Sequence, residues 1–305
     1  MPRVVVFSEY GPPDVLHVVD RQEPVPAPNE VLIRVEAAGV QPFDAMFRAG
    51  YARQWAPAHF PQPLGNEFAG TIVGIGENLR EFKIGDRVLG WSRGDAYADV
   101  ITVPANQMVI KPEHMSWPEA GALSASGQTA STALGALDLA KGETLLVHAA
   151  AGGVGSFAVQ IAVEHGIRVI GTASEVNHDY LRELGAIPVD YHGDLVANVR
   201  AVAPSGIDAS LIAVGGEPPL EASVALVSNR TRIVTVAFEA STERYGITRV
   251  GTQRSQERLL SLTALYDAGK LHVPVGQVFA LTEAADAHRL IETGHSRGKA
   301  VIVTQ

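Results

Sequence analysis

Three glycines, Gly152, Gly153 and Gly155, follow directly on an apolar run, Leu145 to His148. They lead into a segment with apolar residues at Phe157, Val159, Ile161, Ala162 and Val163. Buried strand, tight small-residue turn, helix is the order found at the phosphate-binding start of a doubly wound nucleotide fold. Gly152 lets the backbone approach a pyrophosphate, because a Cβ there would collide with it. Gly155 lets the helix sit close on the sheet. The N–H groups of the turn and of the first helical residues, from Ala151 through Gly153 and Val154, face the anion, and the helix dipole favours negative charge there. The usual fingerprint is G-x-G-x-x-G, and Ala150 stands at its first glycine. The turn by itself is therefore also compatible with a tight strand-to-helix connection that holds no ligand.

The end of the next strand, VIGTAS at 169–174, bears on which dinucleotide is held. A site for NAD places Asp or Glu there to accept from the ribose 2′-OH. Thr172, Ala173 and Ser174 carry no charge, so a 2′-phosphate meets no repulsion and NADPH is the expected cofactor. Val214, Gly215 and Gly216 end a later strand on the ligand side of the sheet, and Val236 to Phe238 do so one strand further on. Each is equally a plain loop closure. His148 closes the first strand and is expected to pack or hydrogen-bond near the cofactor.

These residues need a scaffold, and the pattern supplies two kinds. Residues 3–7 and 15–19 are short β-branched runs, Pro24, Pro26 and Pro28 form a stiff link, and strands follow at 31–37, 64–76, 82–89 and 97–103. Many short strands with frequent turn signals predict a β-rich, barrel-like unit, and glycines within them predict bulges or close backbone approach. Asp44 is expected to cap or turn a short helix in the segment 37–50. From Trp117 the character changes, with two small-residue helices expected over 118–139. Strands at 167–172, 187–190, 208–214 and 231–236 then alternate with helices at 177–184, 194–202 and 219–227. That alternation predicts a parallel sheet covered on both faces. A helix over 255–268, a strand at 277–280, a helix over 283–293 and a strand at 299–303 complete the chain. The expected domains are 1–119, 120–254 and a segment 255–305 that returns to the first.

Composition excludes several functions. A formal net charge of −9 argues against a nucleic-acid groove. The chain has no cysteine, which rules out disulfides and cysteine-ligated metal. Its ten histidines are scattered, and no pair has helical ligand spacing with a carboxylate nearby, so no metal site is expected. No apolar run reaches the ~18 residues of a membrane span. The start, MPRVVVFSEYG, lacks a signal-peptide pattern, so a cytoplasmic protein is expected.

Taken together, AAGVQPFD (37–44), GNEFAG (65–70), GDRV (85–88), SGQTA (126–130), AAAGGVG (149–155), LGA (184–186) with DY (190–191), and GKAV (298–301) resemble the medium-chain dehydrogenase/reductase superfamily in its zinc-free quinone oxidoreductase branch. The resemblance runs in the family's order over nearly the whole chain. It implies α/β architecture: a Rossmann doubly wound parallel sheet domain plus a GroES-like β-rich catalytic domain, usually in a homodimer or tetramer. It places Thr129 close to the nicotinamide, Ser174 at the 2′-phosphate, Tyr191 on the adenosine side and Phe238 beside the nicotinamide. The family's usual lysine aligns with Asn177, with His178 beside it. Gln41 and Asn66 stand where zinc-dependent relatives carry a cysteine and a histidine, and amides are poor zinc ligands.

Without a strong Lewis acid, reduction of an already polarised acceptor is favoured over alcohol oxidation. The expected activity is hydride transfer from NADPH to a quinone or to the C=C bond of an α,β-unsaturated carbonyl, in a dry cleft between domains. Gln41 and Asn66 could donate amide hydrogen bonds to the acceptor's oxygen, or could simply fill a vacated metal site. Tyr51 is a candidate proton donor or a half-buried pocket wall. The alternatives are an accessory enone reductase in natural-product assembly and a non-catalytic NADPH-binding sensor or partner-binding protein.

Overall fold

The computed structural model describes residues 1–237, 242–294 and 297–304. The chain divides into two compact units. One is Met1–Ala125 with Ser255–Asp267 and Val273–Gln305; the other is Ser126–Arg254 with Ala268–His272.

The first unit is built from two sheets. β1 (Arg3–Phe7) lies between β2 (Leu16–Asp20) and the short β4 (Gln62–Pro63). A larger sheet contains β3 (Glu30–Gly39), β5 (Glu67–Ile75), β6 (Arg87–Trp91), β7 (Val100–Pro104) and β8 (Met108–Ile110). Helix α1 (Pro42–Arg48) follows β3. Alternate residues of these strands, among them Val5, Ile33, Phe68, Ile72, Ile101 and Met108, meet in one apolar core. The strand glycines act as expected. A Cβ on Gly70 would lie 2.3 Å from Arg34 O, and the β3–β5 register shifts between Val35 and Ala37 just there.

Residues 117–137 form one continuous helix, α2 (Trp117–Leu137), and not the expected pair. Glycines at 121, 127 and 135 weaken a helix without ending it, and Pro118 sits at the second position, where its missing N–H is not needed. Gly121 has a packing reason: a Cβ there would lie 2.8 Å from the backbone carbon of Ala37 in β3.

The second unit holds β9 (Thr144–His148), α3 (Gly153–Glu164), β10 (Arg168–Ala173), α4 (His178–Glu183), β11 (Ile187–Asp190), α5 (Leu195–Val202), β12 (Ala209–Ile212), α6 (Glu217–Leu226), β13 (Ile233–Thr235), α7 (Thr242–Tyr245) and β14 (Thr248–Arg249). All six strands are parallel, in the order β11-β10-β9-β12-β13-β14. This is the doubly wound order, with its switch point between β9 and β12. α7 and β14 have no counterpart in the sequence pattern, because segments this short carry no periodicity. α3 is buried from Gly155 through Ala162. Its Gln160 ties the returning segment 268–272 to this unit, accepting from His272 N at 2.7 Å and donating to His272 O at 3.1 Å.

The remaining elements return to the first unit: α8 (Gln256–Asp267), β15 (Val275–Ala280), α9 (Ala284–Glu292) and β16 (Lys299–Val303). β16 pairs antiparallel with β3, Val301 opposite Gly39, so the end of the chain completes that sheet. Among the described residues no helix is long and apolar enough to cross a membrane.

The two glycines of α2 should respond oppositely to alanine. Gly121→Ala forces backbone apart and should cost about 1–3 kcal/mol. Gly135 has nothing within 4 Å of its missing Cβ, and Gly135→Ala should gain up to about 1 kcal/mol from helix propensity. Urea unfolding followed by circular dichroism reads both signs.

Candidate functional site

The turn between β9 and α3 is shaped by backbone contact. Ala149 has φ of 54°, a left-handed conformation unusual for alanine. Its N–H reaches Thr172 Oγ1 at 3.3 Å, and Ala150 N–H donates to Thr172 O at 3.0 Å, so the turn is pinned to the end of β10. Gly171 makes the room, since its Cβ would lie 2.7 Å from Ala150 Cβ. Gly155 is required by packing: its Cβ would fall 2.2 Å from Ala149 O and 2.7 Å from Ala150 Cα. Gly152 is different. It caps α3 with φ −78° and ψ 177°, a conformation open to any residue, and its Cβ would meet only Ala149 O at 3.2 Å. Backbone conformation does not demand a glycine there, and packing asks for one less strongly than at Gly155: the one close contact is with a carbonyl oxygen that would have to shift by a few tenths of an ångström. Gly152 immediately precedes the N–H groups of Gly153, Val154 and Gly155, which have no partner within their own helix.

Ser174, Asn177, Tyr191, Val214 and Gly215 follow strand ends along the same edge of the sheet. The register sets Ala173 beside Asp190, so Ser174 and Tyr191 leave adjacent strands together. Asn177 Nδ2 donates to Ser174 Oγ at 3.2 Å. Ile212 pairs with His148, which brings exposed Val214 and Gly215 beside the glycine turn across the switch point. Thr129, in α2, contacts Thr252 hydroxyl to hydroxyl at 2.6 Å. Ala151 is buried within the turn. Phe238 lies outside the described residues.

His148 is fully buried, with Nε2 at 3.0 Å from Ser223 Oγ, and Ser223 in turn meets Ser210 Oγ at 2.9 Å. Burial pushes its imidazole down to about 3. It is a packed, neutral strand-end residue.

In the first unit the expected catalytic residues meet a buried polar cluster that the sequence did not reveal. Gln41 caps α1; its N–H donates to Asp44 Oδ2 at 2.9 Å, and its side-chain Nε2 donates to Glu67 Oε1. Asn66 Nδ2 donates to Asp44 Oδ1 at 3.0 Å, and Tyr97 OH donates to Asp44 Oδ2 at 2.8 Å. Glu67 accepts from Ala125 N–H at 2.6 Å and pairs with Lys299 Nζ at 3.2 Å. Gly39 exists for this carboxylate: its Cβ would lie 2.0 Å from Glu67 Oε1. Burial pushes the Asp44 carboxyl above its ordinary range, while the hydrogen bonds from Tyr97, Gln41 and Asn66 and the charge of Lys299 pull it back. Burial raises Tyr97 well above 10, and the Asp44 charge adds to it.

Asp44 thus caps the helix as expected and also joins three donors. Tyr51 differs from the half-buried wall expected of it. It is 79% exposed, on the turn that follows α1, with its N–H bonded to Met46 O. Lys299 and Tyr97 were missed; the GKAV motif was the one sequence signal that touched Lys299. Among the described residues there is no group of three or more His, Cys, Asp or Glu that could hold a metal.

Two family models match the chain. One, described as an alcohol dehydrogenase GroES-like domain, covers residues 27–113; the other, described as a zinc-binding dehydrogenase, covers 184–302. The chain is 31% identical to quinone oxidoreductase of Sus scrofa, over 98% of this chain and 95% of that protein. It is 30% identical to the synaptic vesicle membrane protein VAT-1 homolog of Rattus norvegicus, over 99% of this chain and 84% of that protein. The solved Escherichia coli quinone oxidoreductase complexed with NADPH superposes with a TM-score of 0.88 at 26% identity, covering 99% of this chain and 100% of that one.

Glu67→Gln should cost about 3–5 kcal/mol in urea unfolding, because it removes the carboxylate charge that faces the buried Lys299 ammonium. The double variant Glu67→Gln with Lys299→Met should recover much of that loss. The histidines give a second test. His288, fully buried edge-on to Tyr97, is also pushed down to about 3, by burial first and the Arg48 charge second. The unfolded chain protonates its histidines near about pH 6.5, whereas the folded chain keeps His148 and His288 neutral to about 3. Their contribution is complete above about pH 6.5 and declines as pH falls, by up to about 1.4 kcal/mol per pH unit for each. His288→Phe should remove one share of that slope between about pH 6 and about pH 4.

Proposed function

The chain belongs to the medium-chain dehydrogenase/reductase superfamily, in its quinone oxidoreductase-like branch, and on that footing we propose that it is a zinc-independent, NADPH-dependent reductase of quinones or α,β-unsaturated carbonyls. The observation that carries this reading is Gly152: a glycine whose backbone conformation does not demand one and whose Cβ would make a single tight contact, placed before the N–H groups that open α3. A pyrophosphate fits that space, and charge-assisted bonds from these amides suit it. Ala151, Gly153, Val154 and Gly155 would hold the phosphates. Ser174, Asn177 and Tyr191 would hold the adenosine ribose, and Thr129, Val214, Gly215 and Phe238 the nicotinamide half. A bound reduced nicotinamide supplies the hydride.

The donors of the first unit do not suit zinc. Gln41 and Asn66 present amides that point nitrogen at carboxylates, and Lys299 already brings a positive charge to Glu67. The proposed reduction uses no metal. Gln41 and Asn66 are assigned to stabilise charge on the acceptor's oxygen through their amide N–H groups, with Glu67 and Asp44 fixing the plane of each carboxamide. Tyr51 is assigned as proton donor, so that hydride and proton together reduce a quinone to its hydroquinone. Residues 120–254 are read as the cofactor domain, and the protein as a homodimer.

Amides already bonded within the protein favour a second reading: an NADPH-binding protein without turnover. One assay separates the two. NADPH oxidation is followed by absorbance with a panel of benzoquinones, naphthoquinones and enones. Turnover with either acceptor class is expected, and Gly152→Ala should lower kcat/KM at least about tenfold, a loss larger than the small shift in unfolding that its one tight contact with Ala149 O would bring. Binding of NADPH with no oxidation by any acceptor would select the second reading.

A further inference from the structure

The edge of the second unit where β10 and β11 end has a peculiarity of charge. Segments 169–181 and 187–199 contain no lysine and no arginine. Arg182 is held by Asp179 at 2.5 Å. The cations these segments can offer are His178 and His192. The acidic groups on the same elements are Glu175, Asp179 and Glu183 around and on α4, Asp190 at the end of β11 and Asp194 at the start of α5.

The two histidines are not equivalent. His192 stacks on Tyr191, with ring centroids 4.2 Å apart, and its Nδ1 is 2.7 Å from Asp190 Oδ1. Any charge it gains is offset by that carboxylate, which the His192 backbone and side chain hold below the usual range, with His178 adding to the effect. His178 has no such partner at bonding distance; its Nε2 lies 3.3 Å from Ala173 O. A carbonyl there fixes the proton of the neutral ring on Nε2. Nδ1 then carries a lone pair, which repels an anion. Protonation turns Nδ1 into a donor and adds a full positive charge.

We propose that His178, in its protonated form, recognises the 2′-phosphate of NADPH, so that preference for NADPH over NADH is set by pH. This rests on the cofactor reading above. The partners are Ser174, one strand-end away, and Asn177, already bonded to it. The sign of the effect distinguishes this arrangement from a fixed cation. A phosphate monoester loses its second proton near about pH 6, so a lysine would bind it better as pH rises. An imidazolium that gives up its proton as pH rises binds it worse.

The test is calorimetric titration of the full chain with NADPH and with NADH from about pH 6 to about pH 8.5. The ratio of the NADH to the NADPH dissociation constant should fall about tenfold across that range. His178→Gln keeps an N–H donor toward Ala173 and cannot titrate, so its ratio should be low and flat. His178→Lys should give a high ratio that rises modestly with pH as the phosphate loses its second proton. A wild-type ratio that is flat or rises with pH, or a His178→Gln variant that keeps the wild-type fall, overturns the inference and leaves the cofactor reading standing. Failure of both nucleotides to bind at any pH overturns the cofactor reading and the inference with it.

Discussion

The approach of α3 to the carbonyl of Ala149 is the constraint from which the second unit takes its shape. It demands glycine at 155, where a Cβ would sit 2.2 Å from that oxygen, and it holds Ala149 in a left-handed conformation at φ 54°. The left-handed alanine costs about 1–2 kcal/mol. Hydrogen bonds from Ala149 and Ala150 to Thr172 offset that cost and draw the turn onto β10. Once the turn is fixed, the N-terminus of α3 opens beside the ends of β10 and β12, with Ser174 on one side and Val214 and Gly215 on the other. The anion site proposed here is made of backbone, so it depends on where side chains are missing.

The first unit solves a different problem. It keeps two carboxylates and an ammonium away from water, and each is compensated by neighbours: Glu67 by Lys299, Gln41 and Ala125, Asp44 by Gln41, Asn66 and Tyr97. Such a cluster is costly to desolvate and becomes favourable only with every donor in place. β16 delivers Lys299 by pairing with β3, and Gly39 of β3 leaves the room that Glu67 fills. The end of the chain is thereby part of the electrostatics of residues near its start.

What was legible in the sequence follows from the range of the forces involved. The glycine turn, the alternation of strands and helices and the uncharged end of β10 are local patterns, and the architecture they imply is the one observed. α2 is one helix where the sequence predicts two, because alanine, serine and glycine give no periodic contrast between faces. The partners of Gln41 and Asn66 lie 26 and 22 residues away, and those of Tyr97 and Ala125 lie 53 and 58 residues away. No spacing rule links such positions; only the sheet register does. Tyr51 fell outside the half-buried class because the turn after α1 carries it outward, a matter of backbone direction that side-chain type does not encode.

The central claim is that the bend at residues 149–155 is an anion cradle for a dinucleotide. A crystal structure of the protein grown with NADPH tests it most directly. The pyrophosphate should lie within hydrogen-bonding distance of the amide nitrogens of residues 153–155, with no atom other than hydrogen interposed at Gly152. Density for the nucleotide elsewhere, with this bend empty under saturating NADPH, would contradict the account.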